Sequence, residues 1–196
     1  LDQRRAQWPD KTVDLVRIEA ELLSQHGDID EAIALLGQAL TLQPDHIDLR
    51  YTRAMLAGQQ DDLVLLEQDL RFIIARQPDH AEALNALGYT LADKTERWEE
   101  AYQLIKQAMA LSENNPAIID SLGWVYFRMG QLDKARHYLQ QAFDLMPDHE
   151  IAAHLGELLW ISGEKEQAID VWRQGLEQTP DSSFIEETLL RLNVEL

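Results

Sequence analysis

The chain has 196 residues, of which 45% are hydrophobic, and its 35 acidic and 17 basic side chains give a net charge of -18 at pH 7. This excess of negative charge argues against nucleic acid as a partner, because phosphates need Lys and Arg. The chain contains no cysteine, which excludes disulfide bonds and thiolate metal sites. No apolar run approaches the roughly 20 residues that span a bilayer. Such a composition is compatible with the cytoplasm or with a periplasm.

The first residues predict a helix that belongs to an incomplete unit. Residues 1–10 align with residues 70–79, and both stretches end in Pro-Asp. We therefore expect a partial helix over 1–8, equivalent to the second helix of a pair whose first helix lies upstream. The chain begins with Leu1 and shows no signal peptide, so we expect a piece of a longer protein. The uncapped end of the array could pair with another copy of the chain.

Five helix pairs of about 34 residues each follow, marked by recurring small residues and prolines. The pair Leu122-Gly123 returns in the next unit as Leu155-Gly156, and Pro147 closes the first of these two units. The same marks predict repeats over residues 13–46, 47–80, 81–115, 116–148 and 149–181, followed by a capping helix over 182–196. We expect all of them to form a single array.

The recurring glycines have physical roles in the helix pairs. Two antiparallel helices pack closely only if one backbone can approach the other, so we expect Gly123 and Gly156 at helix crossings. We expect Gly130 to end a first helix in the left-handed conformation that favours glycine. The repeat over 47–80 is the weakest match, because Leu66 and Ile73 replace two alanines, and we expect a looser crossing there.

In this pattern the chain resembles the tetratricopeptide repeat (TPR) family, whose unit is about 34 residues. The resemblance implies an all-α fold: a right-handed superhelix, or α-solenoid, of about five helix-turn-helix repeats with a partial N-terminal helix and a C-terminal capping helix. In such a stack the first helices line a concave surface.

Little in the chain could carry catalysis, and we expect no enzymatic activity, no metal and no cofactor. His149 and His154 suggest a zinc-protease helix, but they are five residues apart rather than four, so their rings do not share a face. His46, His80 and His149 each follow Pro-Asp at a repeat junction, which indicates turn residues. The sequence contains no phosphate-binding loop and no nucleophile elbow.

The candidate partner-binding residues are those whose position on a first helix would face the concave surface. Trp124, Phe127 and Trp160 stand out among them, because the small residues already supply the buried stripe. Two interpretations stay open for these three: an exposed apolar floor for a ligand, or packing against neighbouring helices. An exposed floor predicts that alanine at Trp124 or Trp160 weakens binding and leaves the melting temperature nearly unchanged. The full set is Tyr51, Met55, Asn85, Tyr89, Asp120, Trp124, Phe127, Arg128, His154, Glu157 and Trp160.

The best-known use of this surface in the TPR family is to grip the carboxylate of a chaperone tail, which needs Lys or Arg together with Asn. The equivalent positions here hold Asn85, Tyr89, Ser121, Glu150 and His154. These side chains do not suit a carboxylate, so we reject that function. An acidic surface with aromatic anchors suits a basic and apolar segment, extended or helical.

A closer resemblance covers residues 85–172. Its motifs are N-A-L-G-Y-T-L-A-D, P-A-I-I-D-S-L-G-W-V-Y-F-R-M-G and P-D-H-E-I-A-A-H-L-G-E-L-L-W. They resemble the carboxy-terminal repeats of bacterial outer-membrane TPR lipoproteins, which include the adaptor of a periplasmic carboxy-terminal processing protease that degrades cell-wall hydrolases. The resemblance implies a periplasmic protein anchored to the outer membrane by a lipid outside this chain, with the cytoplasm as the alternative.

These observations predict a non-catalytic scaffold that binds a partner protein or peptide in its concave groove. By resemblance, the partner is a processing protease or its substrates. The alternative is a self-assembling array, or an assembly factor for an envelope or secretion complex.

Overall fold

The computed structural model describes residues 12–196, which form the all-α fold that the sequence predicts. This part of the chain contains eleven α-helices and no β-strand. They are α1 (Thr12–Gln25), α2 (Ile29–Leu42), α3 (Ile47–Gln59), α4 (Leu63–Arg76), α5 (Ala81–Lys94), α6 (Trp98–Leu111), α7 (Pro116–Arg128), α8 (Leu132–Leu145), α9 (His149–Ile161), α10 (Lys165–Gln178) and α11 (Ser183–Leu192). None of the eleven is long and apolar enough to cross a membrane. The partial helix expected over 1–8, with the self-association expected from it, lies outside the described residues.

The chain divides into two compact units. The first ends at Ala83 and the second runs from Leu84 to Leu196, so the boundary falls within α5. First and second helices alternate along the chain, from the pair α1 and α2 to the pair α9 and α10, and α11 stands last. The single array over all 196 residues stays a prediction.

Short polar side chains and positive backbone angles set the ends of the helices. Asn115 accepts a hydrogen bond from the Ala117 amide, with Pro116 at the first helical position, where its missing N–H costs nothing. Gly130 follows α7 with a φ of +72°, as expected, and Asp61 takes the corresponding role after α3 with a φ of 56°. A left-handed residue therefore ends a first helix even where the sequence offers no glycine.

Glycines lie at the helix crossings, where the sequence places them. A β-carbon on Gly156 would lie 2.2 Å from Nε1 of Trp172, and one on Gly123 would lie 2.7 Å from Cγ of Leu139. Both distances are too short for real side chains, so only glycine permits these helix pairs to approach as closely as they do. In the repeat over 47–80, a β-carbon on Gly58 would lie 2.9 Å from Leu66, so glycine leaves room for the larger leucine.

A fully buried carboxylate is a feature of the first unit that the sequence analysis did not foresee. Asp69 on α4 has no exposed surface and lies 2.6 Å from a guanidinium nitrogen of Arg50 and 2.7 Å from one of Arg53, both on α3. A buried charge is tolerated when it is paired in this way. The three side chains tie the two helices of this repeat together.

We predict that Gly156→Ala destabilises the protein. The new methyl group would overlap the fully buried Trp172 indole, and overpacking of this kind costs about 1–3 kcal/mol. Gly37→Ala is the matched control within a helix: its β-carbon would lie an ordinary 3.5 Å from Arg53, so the helical preference for alanine predicts a gain of up to about 1 kcal/mol. Urea unfolding of both variants measures the difference, and equal stabilities would contradict the close crossing at Gly156.

Candidate functional site

The predicted partner-binding residues divide between the two units. Tyr51 and Met55 lie on α3 in the first unit, both partly exposed, and the Tyr51 ring stacks on His80 with centroids 5.6 Å apart. The other nine predicted residues lie in the second unit, on α5, α7 and α9. That unit provides the candidate site described below.

His154 lies at the centre of the site. Its Nδ1 donates a hydrogen bond of 2.8 Å to Oδ2 of Asp120, and its Nε2 lies 3.3 Å from the Tyr89 hydroxyl. The Trp124 indole stacks on the imidazole, with centroids 4.2 Å apart and planes inclined by 23°. Because Tyr89 lies on α5, Asp120 and Trp124 on α7 and His154 on α9, this contact joins the first helices of three consecutive repeats.

Charged side chains extend the contact on both sides. Asp93 on α5 accepts a hydrogen bond of 3.2 Å from Nε1 of Trp124, and its backbone oxygen accepts one of 2.7 Å from Arg128. Arg191 on α11 forms a two-pronged ion pair with Glu157 on α9, with one bond of 2.7 Å. We call these contacting residues the polar cluster, which consists of Tyr89, Asp93, Asp120, Trp124, Arg128, His154, Glu157 and Arg191.

Burial distinguishes the members of the predicted set and decides between the two interpretations of Trp124. Asp120 and Trp124 are 4% exposed, His154 is 5% exposed and Glu157 is 3% exposed. Of the two interpretations of Trp124, the exposed floor is therefore wrong and packing is right, since Trp124 packs against His154 and Phe127. The buried carboxylates of Asp120 and Glu157 are also paired within the protein, because burial of a carboxylate needs a compensating partner.

The electrostatics of the cluster follow from this burial. Burial by itself lowers the pKa of His154, but the adjacent Asp120 carboxylate, with Glu150 and Asp93 behind it, outweighs burial and raises the pKa. For Tyr89, burial and then the charges of Asp93, Glu150 and Asp120 raise the pKa well above its usual value. The Tyr89 phenol therefore stays protonated at neutral pH. The hydrogen bonds of His154 to Asp120 and Tyr89 join first helices of three consecutive repeats.

The partly exposed members of the predicted set in the second unit form a border, which we call the rim: Asn85, Tyr89, Phe127, Arg128 and Trp160. Tyr89 and Arg128 belong to both the rim and the polar cluster. Phe127 stacks on Trp124 at 5.0 Å, and Trp160 lies 5.8 Å from Trp172, with the Lys165 ammonium 4.7 Å from its ring centroid. Phe127 and Trp160 occupy equivalent positions near the ends of α7 and α9. They supply apolar surface next to charged groups, which suits a protein contact.

Three residues at or next to the site, Asp93, Glu150 and Arg191, are missing from the predicted set. Arg191 was part of the capping helix, and Glu150 was considered only as a position of the carboxylate clamp. The signal for Arg191 was its place one repeat length after Glu157, the same separation that joins Asp120 to His154. A separation of one repeat length indicates a contact only if consecutive first helices pack against each other.

Comparison with known proteins identifies the repeats. Family models described as tetratricopeptide repeat match residues 19–46, 79–148 and 121–183. A TPR repeat-containing protein of Pseudomonas aeruginosa is 50% identical over 157 residues, which are 80% of this chain and 27% of that protein.

A pilus protein and a thermophilic protein are also similar. Type IV pilus assembly protein PilF of Pseudomonas aeruginosa is 26% identical over 77% of this chain and 62% of its own length. The crystal structure of a TPR protein of Thermus thermophilus has the same fold, with a TM-score of 0.79 at 23% identity over 92% of this chain and 99% of that one. The chain thus spans less than two thirds of the length of both curated relatives.

We predict that Trp124→Ala and Trp160→Ala differ in stability. Trp124 is buried against His154, Phe127 and Asp93. Its removal therefore leaves a cavity that costs about 3–5 kcal/mol of stability. Trp160 is partly exposed, and its removal costs less. Urea unfolding followed by circular dichroism measures both losses. Equal and small losses would restore the exposed floor at Trp124.

Proposed function

The chain belongs to the tetratricopeptide repeat family, and we propose that it is a non-catalytic scaffold that binds a partner protein through the rim of its second unit. The observation that carries this proposal is the position of Phe127 and Trp160, two partly exposed aromatic side chains at equivalent places in consecutive repeats. Aromatic and arginine side chains contribute most to binding at protein interfaces. Arg128, whose guanidinium lies 6.0 Å from the Trp124 ring centroid, adds the charged component.

The buried part of the site supports the same function. Asp120, His154 and Trp124 contact one another rather than solvent, so they hold α5, α7 and α9 in place under the rim. A surface that is ordered before binding loses less conformational entropy when a partner docks. In this proposal the buried members position the rim, and the rim makes the contacts.

We propose the periplasm as the location, with an outer-membrane lipid anchor in the full-length protein and the cytoplasm as the alternative. The resemblance of residues 85–172 to outer-membrane TPR lipoproteins supports this location. It also supports a role as the adaptor of a processing protease that acts on cell-wall enzymes. The partner is then the protease or one of its substrates.

A second candidate function is assembly of an envelope complex. The similarity to PilF, whose name describes type IV pilus assembly, favours it. Both candidates need a protein-binding surface on the repeats, and they differ in the identity of the partner. A third candidate function is self-assembly through the N-terminal end of the array, which light scattering over a concentration series tests.

We predict that Phe127→Ala and Trp160→Ala each weaken the capture of envelope proteins from the source cell by roughly tenfold. Aromatic side chains that a partner buries typically lose this much binding when they are truncated. Leu145→Ala is the matched control, because it removes an apolar side chain that is 54% exposed on α8, a second helix of the same unit. Quantitative mass spectrometry of the captured proteins measures the loss. Equal capture by all three variants would place the binding surface elsewhere.

A further inference from the structure

The partly or fully buried acidic side chains of the second unit have partners, with one exception. Each of the others forms an ion pair or caps a helix. The pairs are Asp93 with Arg128, Glu100 with Arg97, Asp120 with His154, Asp148 with the Glu150 amide, Glu157 with Arg191 and Glu164 with Arg136. Glu150 is also partly buried, but its carboxylate makes no hydrogen bond or ion pair within residues 84–196. A desolvated carboxylate without a partner costs free energy, so this exception needs a reason.

Charges of both signs surround Glu150: His154 has the largest electrostatic effect on its carboxyl and favours the ionised form, while Asp120 has the next largest and opposes it. Glu150 lies in the first turn of α9, one turn before His154, and it interacts electrostatically with Asp120 and Tyr89. Burial raises the pKa of the Glu150 carboxyl; His154 and His149 oppose this effect, while Asp120 and Asp148 add to it. The first turn of a helix favours an acidic residue, which accounts for the residue type but not for its burial.

Unsatisfied acceptors lie on the two neighbouring first helices. Oδ1 of Asp120 on α7 is buried and has no hydrogen-bond partner among residues 12–196, although Oδ2 of the same carboxylate is bound to His154. Oδ1 of Asn85 on α5 is likewise buried and unpartnered, one turn before Tyr89. Buried acceptors without donors are rare in folded proteins. Three consecutive first helices thus each present a side-chain oxygen that accepts no hydrogen bond within the part of the chain that the structure describes.

We propose that Glu150, backed by Asp120 and Asn85, is a binding site for an arginine side chain of the partner. Glu150 makes the direct ion pair, since its carboxylate is the most accessible of the three groups. The Asp120 and Asn85 oxygens lie beneath the surface and stabilise the guanidinium through their negative potential. Arginine suits the site because its planar group carries five donors and is weakly hydrated.

The arginine site presupposes the proposed scaffold function, and it specifies which side chain of the partner is bound. A partner segment with an arginine next to apolar residues would place the arginine at Glu150 and the apolar residues on the rim.

Titration with N-acetyl-arginine amide, followed by NMR, tests the site. We expect the signals of Tyr89 and the His154 ring to shift on addition of this probe and not on addition of N-acetyl-citrulline amide, its neutral isostere. Glu150→Gln should weaken the arginine effect roughly tenfold, the loss of one charged hydrogen bond. The variant should fold normally, because the carboxylate that it removes makes no hydrogen bond within residues 84–196.

Glu186→Gln is the control, since it removes an exposed charge on α11 and should leave the titration unchanged. The proposal is overturned if arginine amide produces no shifts, if citrulline amide produces the same shifts, or if Glu150→Gln has no effect. Failure of this site is distinguishable from failure of the scaffold function. Capture of envelope proteins that depends on Phe127 and Trp160 but not on Glu150 would leave the scaffold standing without the arginine site.

Discussion

The hydrogen bond between His154 and Asp120 joins α9 to α7, and the Tyr89 hydroxyl on the opposite ring nitrogen brings in α5. One imidazole therefore contacts three consecutive repeats, while Trp124 covers its face. A buried polar contact of this kind is stable only when its groups are paired, so a change at one helix affects the other two. The rim depends on it, because Phe127 packs on Trp124 and Arg128 bonds to the backbone of Asp93.

Close crossing of the helices within each pair sets the geometry that makes this contact possible. Gly123 and Gly156 bring α7 onto α8 and α9 onto α10 at distances that exclude a β-carbon. With the second helices fixed in this way, each first helix has one face left for its neighbours in the stack. Asp120 and His154 occupy that face in successive repeats. The residues of the candidate site thus owe their positions to residues that serve only packing.

The sequence predicted the helices and their crossings well, because glycine and proline act locally. Gly156 and Gly130 have the roles that their spacing indicates. Exposure was harder to predict, because it depends on contacts between residues far apart in the chain. Trp124 illustrates the difficulty: its position on the first helix is as expected, but its burial depends on His154 in the next repeat and Asp93 in the preceding one. No periodicity within one repeat contains that information.

Titration of the His154 ring by NMR, in the wild-type protein and in Asp120→Asn, tests the central contact most directly. We predict that the pKa of His154 in the wild-type protein lies above the usual value of about 6.5 and falls when the carboxylate is removed, because Asp120 favours the charged imidazole. A wild-type pKa below the usual value and unchanged in the variant would show that burial acts alone. The link between the three repeats would then be absent.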